Sequence, residues 1–342
     1  MSLIPNSYSA STVGAAGRRT LIAVRAGENP SFDYFLAPRL AIQRDWNVRV
    51  VDGATPPGDV FRDVDPSETY LLFCRYVPAY WRRYVERNHA RLIGCGYFVD
   101  DDYEALVRDS TVPLRYRWKV WRLGLRPQQA LGRVWTHVWA GSWCLADRLS
   151  ALKAEALLPV AGEQDFARGT HCPTGPLRIA FHATAVHRRE HEWLLSLVPQ
   201  LRAALPQAVF EIVADRSLAG PWQEMPNVVV RKPTPWPVYR AETAHDQADI
   251  LLVPLLPAPI NEVRSSTKLI DAARLGAVPI LSDAAPYAAY RDVAPCLSLN
   301  QAAWVNAICE LARDAAQRQR IMARLQVRLE QTRHGLYPLL PL

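Results

Sequence analysis

Short apolar runs alternate with helix-length stretches along this chain, and the alternation stops once and then starts again. Residues 21–24, 48–51, 69–74, 91–99 and 134–140 read as strands. Residues 31–44 and 78–88 read as helices, and another opens at Ser142, with Leu145, Leu149 and Leu152 near-periodic. Strands separated by helices pair in parallel through crossover connections, so the pattern predicts an α/β sheet. Residues 158–176 hold glycine and proline with little periodicity, as a linker does. Strands then resume at 177–183, 208–214, 227–231, 248–254 and 277–281, with helices at 188–205, 237–245 and 265–275 and an arginine-rich helical end at 305–333.

The expected organisation is a flexible arm (1–18), an α/β domain (19–157), the linker (158–176), a second α/β domain (177–325) and a tail (326–342) returning toward the first domain. A length of 342 residues suits two domains. The cleft between two such domains, at the carboxyl ends of the strands, is where a ligand is expected.

Composition excludes several classes. No run of 18 apolar residues is present, so no spanning helix is expected. The first residues lack a basic start followed by an apolar core, so no secretory signal is expected and the location read is cytoplasmic. Six scattered cysteines without a CxxC pair fit neither a zinc cluster nor a disulfide scaffold. Only four of the 40 basic residues are lysine, and the net charge of +7 is spread over both halves, so it does not argue for nucleic acid.

The segment 249–283 is the most informative. A strand delivers the chain into a proline-rich loop, and Ser265, Ser266 and Thr267 open a helix whose free N–H groups could hold a phosphate. Lys268 adds a cation in the first turn, and Asp271, three residues on, can accept hydrogen bonds from a ribose diol. Gly276 ends the helix. A serine-capped helix with an i,i+3 Lys–Asp pair is the plain structural alternative.

Ala248-Asp249-Ile250, Pro254-Leu255, Asn261, Arg264-Ser265, Lys268, Asp271, Leu275-Gly276, Pro279-Ile280 and Ser282-Asp283 together resemble the donor half of GT-B glycosyltransferases, particularly the family-4-like retaining group. The resemblance spans residues 177–283 and implies two Rossmann-like domains facing a cleft. It implies that Asp271 binds the ribose of a nucleotide sugar, at a position where the family normally has glutamate. Val263 stands where that family's first motif glutamate would fall. The resemblance also places a diphosphate-holding pair at Thr184 and Arg189, with Arg188 as an alternative and threonine replacing the usual arginine. Arg189 and Lys268 would stabilise the leaving group, and backbone at Lys232 and Pro233 would contact the base. Gly27 would lie in a glycine loop near the donor.

Other candidates come from the residues alone. His182 follows a strand and would face the cleft, and Asp100 and Asp101 end a strand at the sheet's ligand edge, where a carboxylate can act as base. His187, Glu190 and His191 match the H-x-x-E-H pattern of a zinc hydrolase. Residues 111–127 interleave Arg115, Arg117, Lys119, Arg122 and Arg126 with Trp118 and Trp121, the composition of an interfacial membrane helix.

The expected function is transfer of a sugar from a nucleotide-diphosphate sugar to a glycan or lipid-linked acceptor, with retention. The donor is a substrate, no tightly bound cofactor or metal is expected, and nucleic acid is not an expected partner. The alternatives are a catalytically inactive GT-B-like nucleotide-binding scaffold and a zinc hydrolase.

Overall fold

The computed structural model describes residues 19–166 and 175–340. The expected arm lies outside them, as does the middle of the linker.

Among the described residues all strands pair in parallel, in two six-stranded sheets. The first contains β1 (Thr20–Arg25), β2 (Asn47–Asp52), β3 (Thr69–Cys74), β4 (Gly94–Val99), β5 (His137–Ala140) and β6 (Glu155–Ala156) in the order β2-β1-β3-β4-β5-β6. The second contains β7 (Arg178–His182), β8 (Val209–Val213), β9 (Val228–Arg231), β10 (Ile250–Val253), β11 (Val278–Ser282) and β12 (Cys296–Leu297) in the order β12-β11-β10-β7-β8-β9.

Every residue of β3, β4, β10 and β11 is buried, because helices cover both faces of a parallel sheet. The strands β2 and β9 at sheet edges are only half covered, leaving Val50 and Val229 each 49% exposed. All ten sequence-read strands are present. The two-residue strands β6 and β12 are additions, too short to carry an alternation.

The order of each sheet reverses once, between β1 and β3 and between β7 and β10. These are the topological switch points at which a doubly wound sheet opens a crevice.

The two halves are pressed together. Ala258, Ile260 and Val263 of the second domain are buried in the first domain's core with Val77, Tyr103 and Leu145. Ser142 Oγ donates to the Val263 carbonyl at 2.6 Å, and Arg148 reaches the Pro259 carbonyl at 3.1 Å and Glu262 at 2.8 Å.

The helix Ala315–His334 packs on the second domain through Ile321, Leu325 and Leu329. Beyond it the chain meets the first domain: Gln43 donates to the Leu340 carbonyl at 3.0 Å and accepts from its N–H at 3.2 Å. Tyr337 lies under the Arg39 guanidinium at 5.4 Å. Among the described residues no helix is long and apolar enough to cross a membrane.

Candidate functional site

Both switch points open onto one cavity of about 340 Å³. From the first domain come Pro30 and Ser31 after β1, Arg75 after β3, and Asp100 and Asp101 after β4. From the second come His182, Ala183 and Thr184 at the end of β7, Val253–Leu255 at the end of β10, and Arg264, Ser265, Thr267 and Lys268. The cleft expected from the sequence is therefore a real cavity at the carboxyl ends of the strands.

The helix Thr267–Leu275 begins at this cavity. Its N-cap Ser266 makes no side-chain capping bond, so no side chain takes up the first-turn N–H groups from that position. The Ser266 hydroxyl lies instead 3.3 Å from the Tyr290 hydroxyl. The helix ends at Gly276, which adopts φ +66 and donates its N–H back to the last turn. Lys268 Nζ donates to the His182 carbonyl at 2.8 Å and to Asp271 Oδ2 at 3.1 Å, so the cation is fixed at the cleft wall.

Asp271 lies behind that wall and does not line the cavity. Its Oδ1 accepts from the Tyr34 hydroxyl at 2.8 Å and from Arg274 Nη2 at 2.7 Å. Burial opposes its charge, but Lys268, Arg274 and the Tyr34 hydrogen bond outweigh that and hold its pKa at about 2. Arg274 is itself buried, bonded to Thr243 at 2.8 Å, the Tyr34 hydroxyl at 2.5 Å and Asp165 at 3.2 Å, beneath the Trp236 and Tyr239 rings. Asp271 thus joins a network across the domain seam.

The first domain contributes a group that the sequence reading missed. Arg75 has φ +65, a left-handed conformation rare for a side-chain-bearing residue. Its carbonyl accepts from the Tyr97 hydroxyl at 2.8 Å and the Tyr103 hydroxyl at 3.0 Å, which holds the strained turn. The guanidinium contacts Asp100 at 2.7 Å, Asp101 at 3.0 Å and Ser31 Oγ at 3.3 Å. Ser31 Oγ donates in turn to Asp100. Burial pushes the Asp100 carboxyl above its ordinary pKa, with Arg75 pulling it back. Arg264 reaches Asp101 from the second domain at 3.5 Å. Positions next to strand ends were the one signal for Arg75; no motif marks it.

The remaining predicted residues separate. Thr184, Ser265, Thr267 and Lys268 share the cleft with Asp100, Asp101 and His182. The His182 ring faces away from it, with Nε2 2.9 Å from Glu211 and Nδ1 3.1 Å from the Tyr239 hydroxyl. Asn261 is buried, donating to Glu190 and to the Leu256 carbonyl at 2.8 Å each.

Arg189 lines a different cavity, 3.9 Å from Asp109, and Arg188 lies 3.5 Å from Ser217 Oγ. Gly27 adopts φ +63 and donates its N–H to Asp52 at 2.9 Å. Lys232 and Pro233 are exposed after the edge strand β9. None of these five lines the cleft.

The H-x-x-E-H residues do not assemble as zinc ligands. Glu190 supports Asn261 and the Leu256 N–H, and His191 Nδ1 accepts from Trp222 Nε1 at 3.2 Å. Burial first, then the neighbouring His187, lower the His191 pKa to about 4. Among the described residues no group of three or more His, Cys, Asp or Glu is placed to hold a metal.

No family model matches the chain, and no curated protein matches it. Solved structures do. A variant of S. aureus TarM in complex with fondaparinux, α-GlcNAc-glycerol and UDP aligns with TM-score 0.50 at 8% identity, over 80% of this chain and 54% of TarM. A Thermobaculum terrenum O-GlcNAc transferase variant aligns with TM-score 0.51 at 14% identity, over 92% of this chain and 64% of that one. A Listeria monocytogenes protein assigned as a UDP-N-acetylglucosamine 2-epimerase aligns with TM-score 0.52 at 10% identity, over 90% of this chain and 91% of that one. The chain spans about half the length of TarM. At these identities the likeness is one of fold: the chain is an α/β protein of GT-B architecture, two Rossmann-like domains facing a cleft.

Proposed function

We propose that the chain is a glycosyltransferase that moves a sugar from a nucleotide-diphosphate donor to a hydroxyl of a glycan or lipid-linked acceptor. The observation that carries this reading is the cleft itself, where Lys268 and the helix opening at Thr267 stand opposite Arg75, Asp100 and Asp101. The second domain's side offers cations and N–H groups to a diphosphate. The first domain's side offers carboxylates to an acceptor hydroxyl. TarM and the O-GlcNAc transferase are fold relatives, and TarM's complex contains UDP.

In this reading Lys268 and Arg264 hold the diphosphate and offset charge as the bond from the sugar's anomeric carbon to the diphosphate oxygen breaks. The acceptor oxygen bonds to that carbon, and its proton passes to the departing diphosphate on the same face, with retention. Asp100 and Asp101 orient the acceptor. Arg189 is left out of the donor site because it lines another cavity.

Membrane contact belongs to the same proposal, placing the protein at the inner face of a cytoplasmic membrane. On the segment Leu114–Val120 and its continuation Trp121–Leu125, Leu114, Trp118 and Trp121 are 73%, 54% and 40% exposed. Arg122 lies over the Trp118 ring and Arg126 over the Trp121 ring. Exposed tryptophans among arginines suit an anionic lipid surface.

A second reading is favoured by Asp271. Its carboxylate is committed to Tyr34, Arg274 and Lys268, as befits a nucleotide-binding scaffold without transfer. Thermal shift and calorimetry with UDP, GDP and ADP test both. Stabilisation by one of them, with binding about tenfold weaker in Lys268→Ala, is expected. No binding by any of the three overturns both readings. Release of sugar from the matching donor then separates the enzyme from the scaffold.

A further inference from the structure

The segment that presents Leu114, Trp118 and Trp121 to solvent has a second face, and that face belongs to the cleft. Along Leu114–Val120 and its continuation Trp121–Leu125, Tyr116, Val120 and Gly124 recur at four-residue spacing on the inward side. Tyr116 lines the cleft, and Val120 and Gly124 are buried. A Cβ at Gly124 would fall 2.8 Å from the Tyr103 ring, so helix and ring lie in direct contact.

These contacts lead to the strained turn at Arg75. The Tyr103 hydroxyl donates to the Arg75 carbonyl at 3.0 Å, and the Val77 N–H donates to the Leu123 carbonyl at 2.8 Å. The Tyr76 ring is shared by two cations, with Arg75 5.2 Å and Lys119 5.0 Å from its centroid. A left-handed residue keeps its conformation only while its surroundings hold it. At Arg75 part of that hold comes, through Tyr103, from this helix.

The outward face has the chemistry of one partner. Residues 111–127 carry five basic side chains and no acidic one. Arg115, Lys119, Arg122 and Arg126 are exposed, interleaved with Leu114, Trp118 and Trp121. Tryptophan among cations, with no carboxylate on the segment, complements an anionic lipid surface rather than a neutral one.

We infer that this helix puts the cleft under the control of lipid. Docking on an anionic bilayer steadies the helix and, through Tyr103, the Arg75 turn, so transfer is fastest at the membrane. The inference rests on the transferase reading with its lipid surface, and adds regulation of the cleft by that surface.

Hydrogen exchange of the full chain tests the coupling without a substrate. Vesicles of phosphatidylserine and phosphatidylcholine should slow exchange about threefold at residues 114–122 and also at 75–77, whose N–H groups are all hydrogen-bonded. Vesicles of phosphatidylcholine alone should do neither. The double variant Trp118→Ala/Trp121→Ala, altered only at exposed side chains, should lose both effects. Tyr103→Phe should still dock, with the slowing at 75–77 at least halved. Sugar release from the matching donor should rise about threefold with the anionic vesicles in the parent and not in the double variant.

The inference is overturned if no vesicle docks, or if docking leaves exchange at 75–77 unchanged. Full slowing there in Tyr103→Phe also overturns it, as does sugar release indifferent to the vesicles. Protection at 114–122 that grows with protein concentration and needs no lipid would give the surface to a second copy, and overturns it too. Calorimetry with UDP, GDP and ADP keeps the two readings apart. A chain that binds nucleotide but shows no lipid effect at 75–77 loses this inference and keeps the transferase reading. A chain that shows the effect but binds no nucleotide keeps the coupling and loses the transferase.

Discussion

The Tyr34 hydroxyl of the first domain donates to Asp271 of the second at 2.8 Å, inside a buried network that also holds Arg274 and Asp165. One phenol therefore satisfies two charged groups at once, since Arg274 also donates to it. Tyr34→Phe removes that oxygen and nothing else. The expected loss is about 1–3 kcal/mol of stability, from an arginine and a carboxylate each left one partner short. Urea unfolding of the two proteins measures it, and an unchanged midpoint would show that the hydroxyl does not fasten the seam.

Acid should act on the same network. Asp271 titrates at about 2 in the folded protein, against about 3.9 for an unfolded aspartate. A lowered folded pKa contributes stability that is complete above the unfolded value and lost as pH falls toward 2. The contribution is about 2–3 kcal/mol. Unfolding free energies measured from pH 6 to pH 2 should fall less steeply for Asp271→Asn than for the parent between pH 4 and pH 2. Parallel curves would contradict the depressed pKa.

Two substitutions at Arg75 separate its backbone from its charge. Removing the guanidinium strips Asp100 of its cation and leaves Asp101 only Arg264, so Arg75→Ala should cost about 3–5 kcal/mol. Arg75→Gly loses the same charge but accepts φ +65 without strain, and should be more stable than Arg75→Ala by about 1 kcal/mol. Equal stability of the two would mean that the left-handed turn carries no strain.

Lipid contact makes a prediction of its own. The double variant Trp118→Ala/Trp121→Ala should lose most binding to vesicles containing phosphatidylserine, with nucleotide binding intact. Co-sedimentation at low and high salt checks it, because attraction to an anionic surface weakens with salt. Sedimentation that ignores both the substitutions and the salt rules this surface out.

Much of the fold was legible because its buried parallel strands are short continuous apolar runs, and Gly276 marks where a helix must stop. The second domain's side of the cleft was legible too, since Ser265, Thr267 and Lys268, which line it, are neighbours in sequence. Arg75 was not, because a left-handed arginine depends on Tyr97 and Tyr103 arriving from other elements. Arg189 lines a second cavity and not the cleft, and the local sequence cannot say that Asp109 of the other domain stands beside it. His191 shows the same limit: i,i+4 spacing says nothing of the tryptophan that takes up its nitrogen.

The paired amide contacts between Gln43 and Leu340 bring the end of the described chain back onto the first domain. With the Tyr34–Asp271 and Ser142–Val263 bonds, the domains are fastened at points far apart in the sequence, so parting them means breaking all of these contacts together.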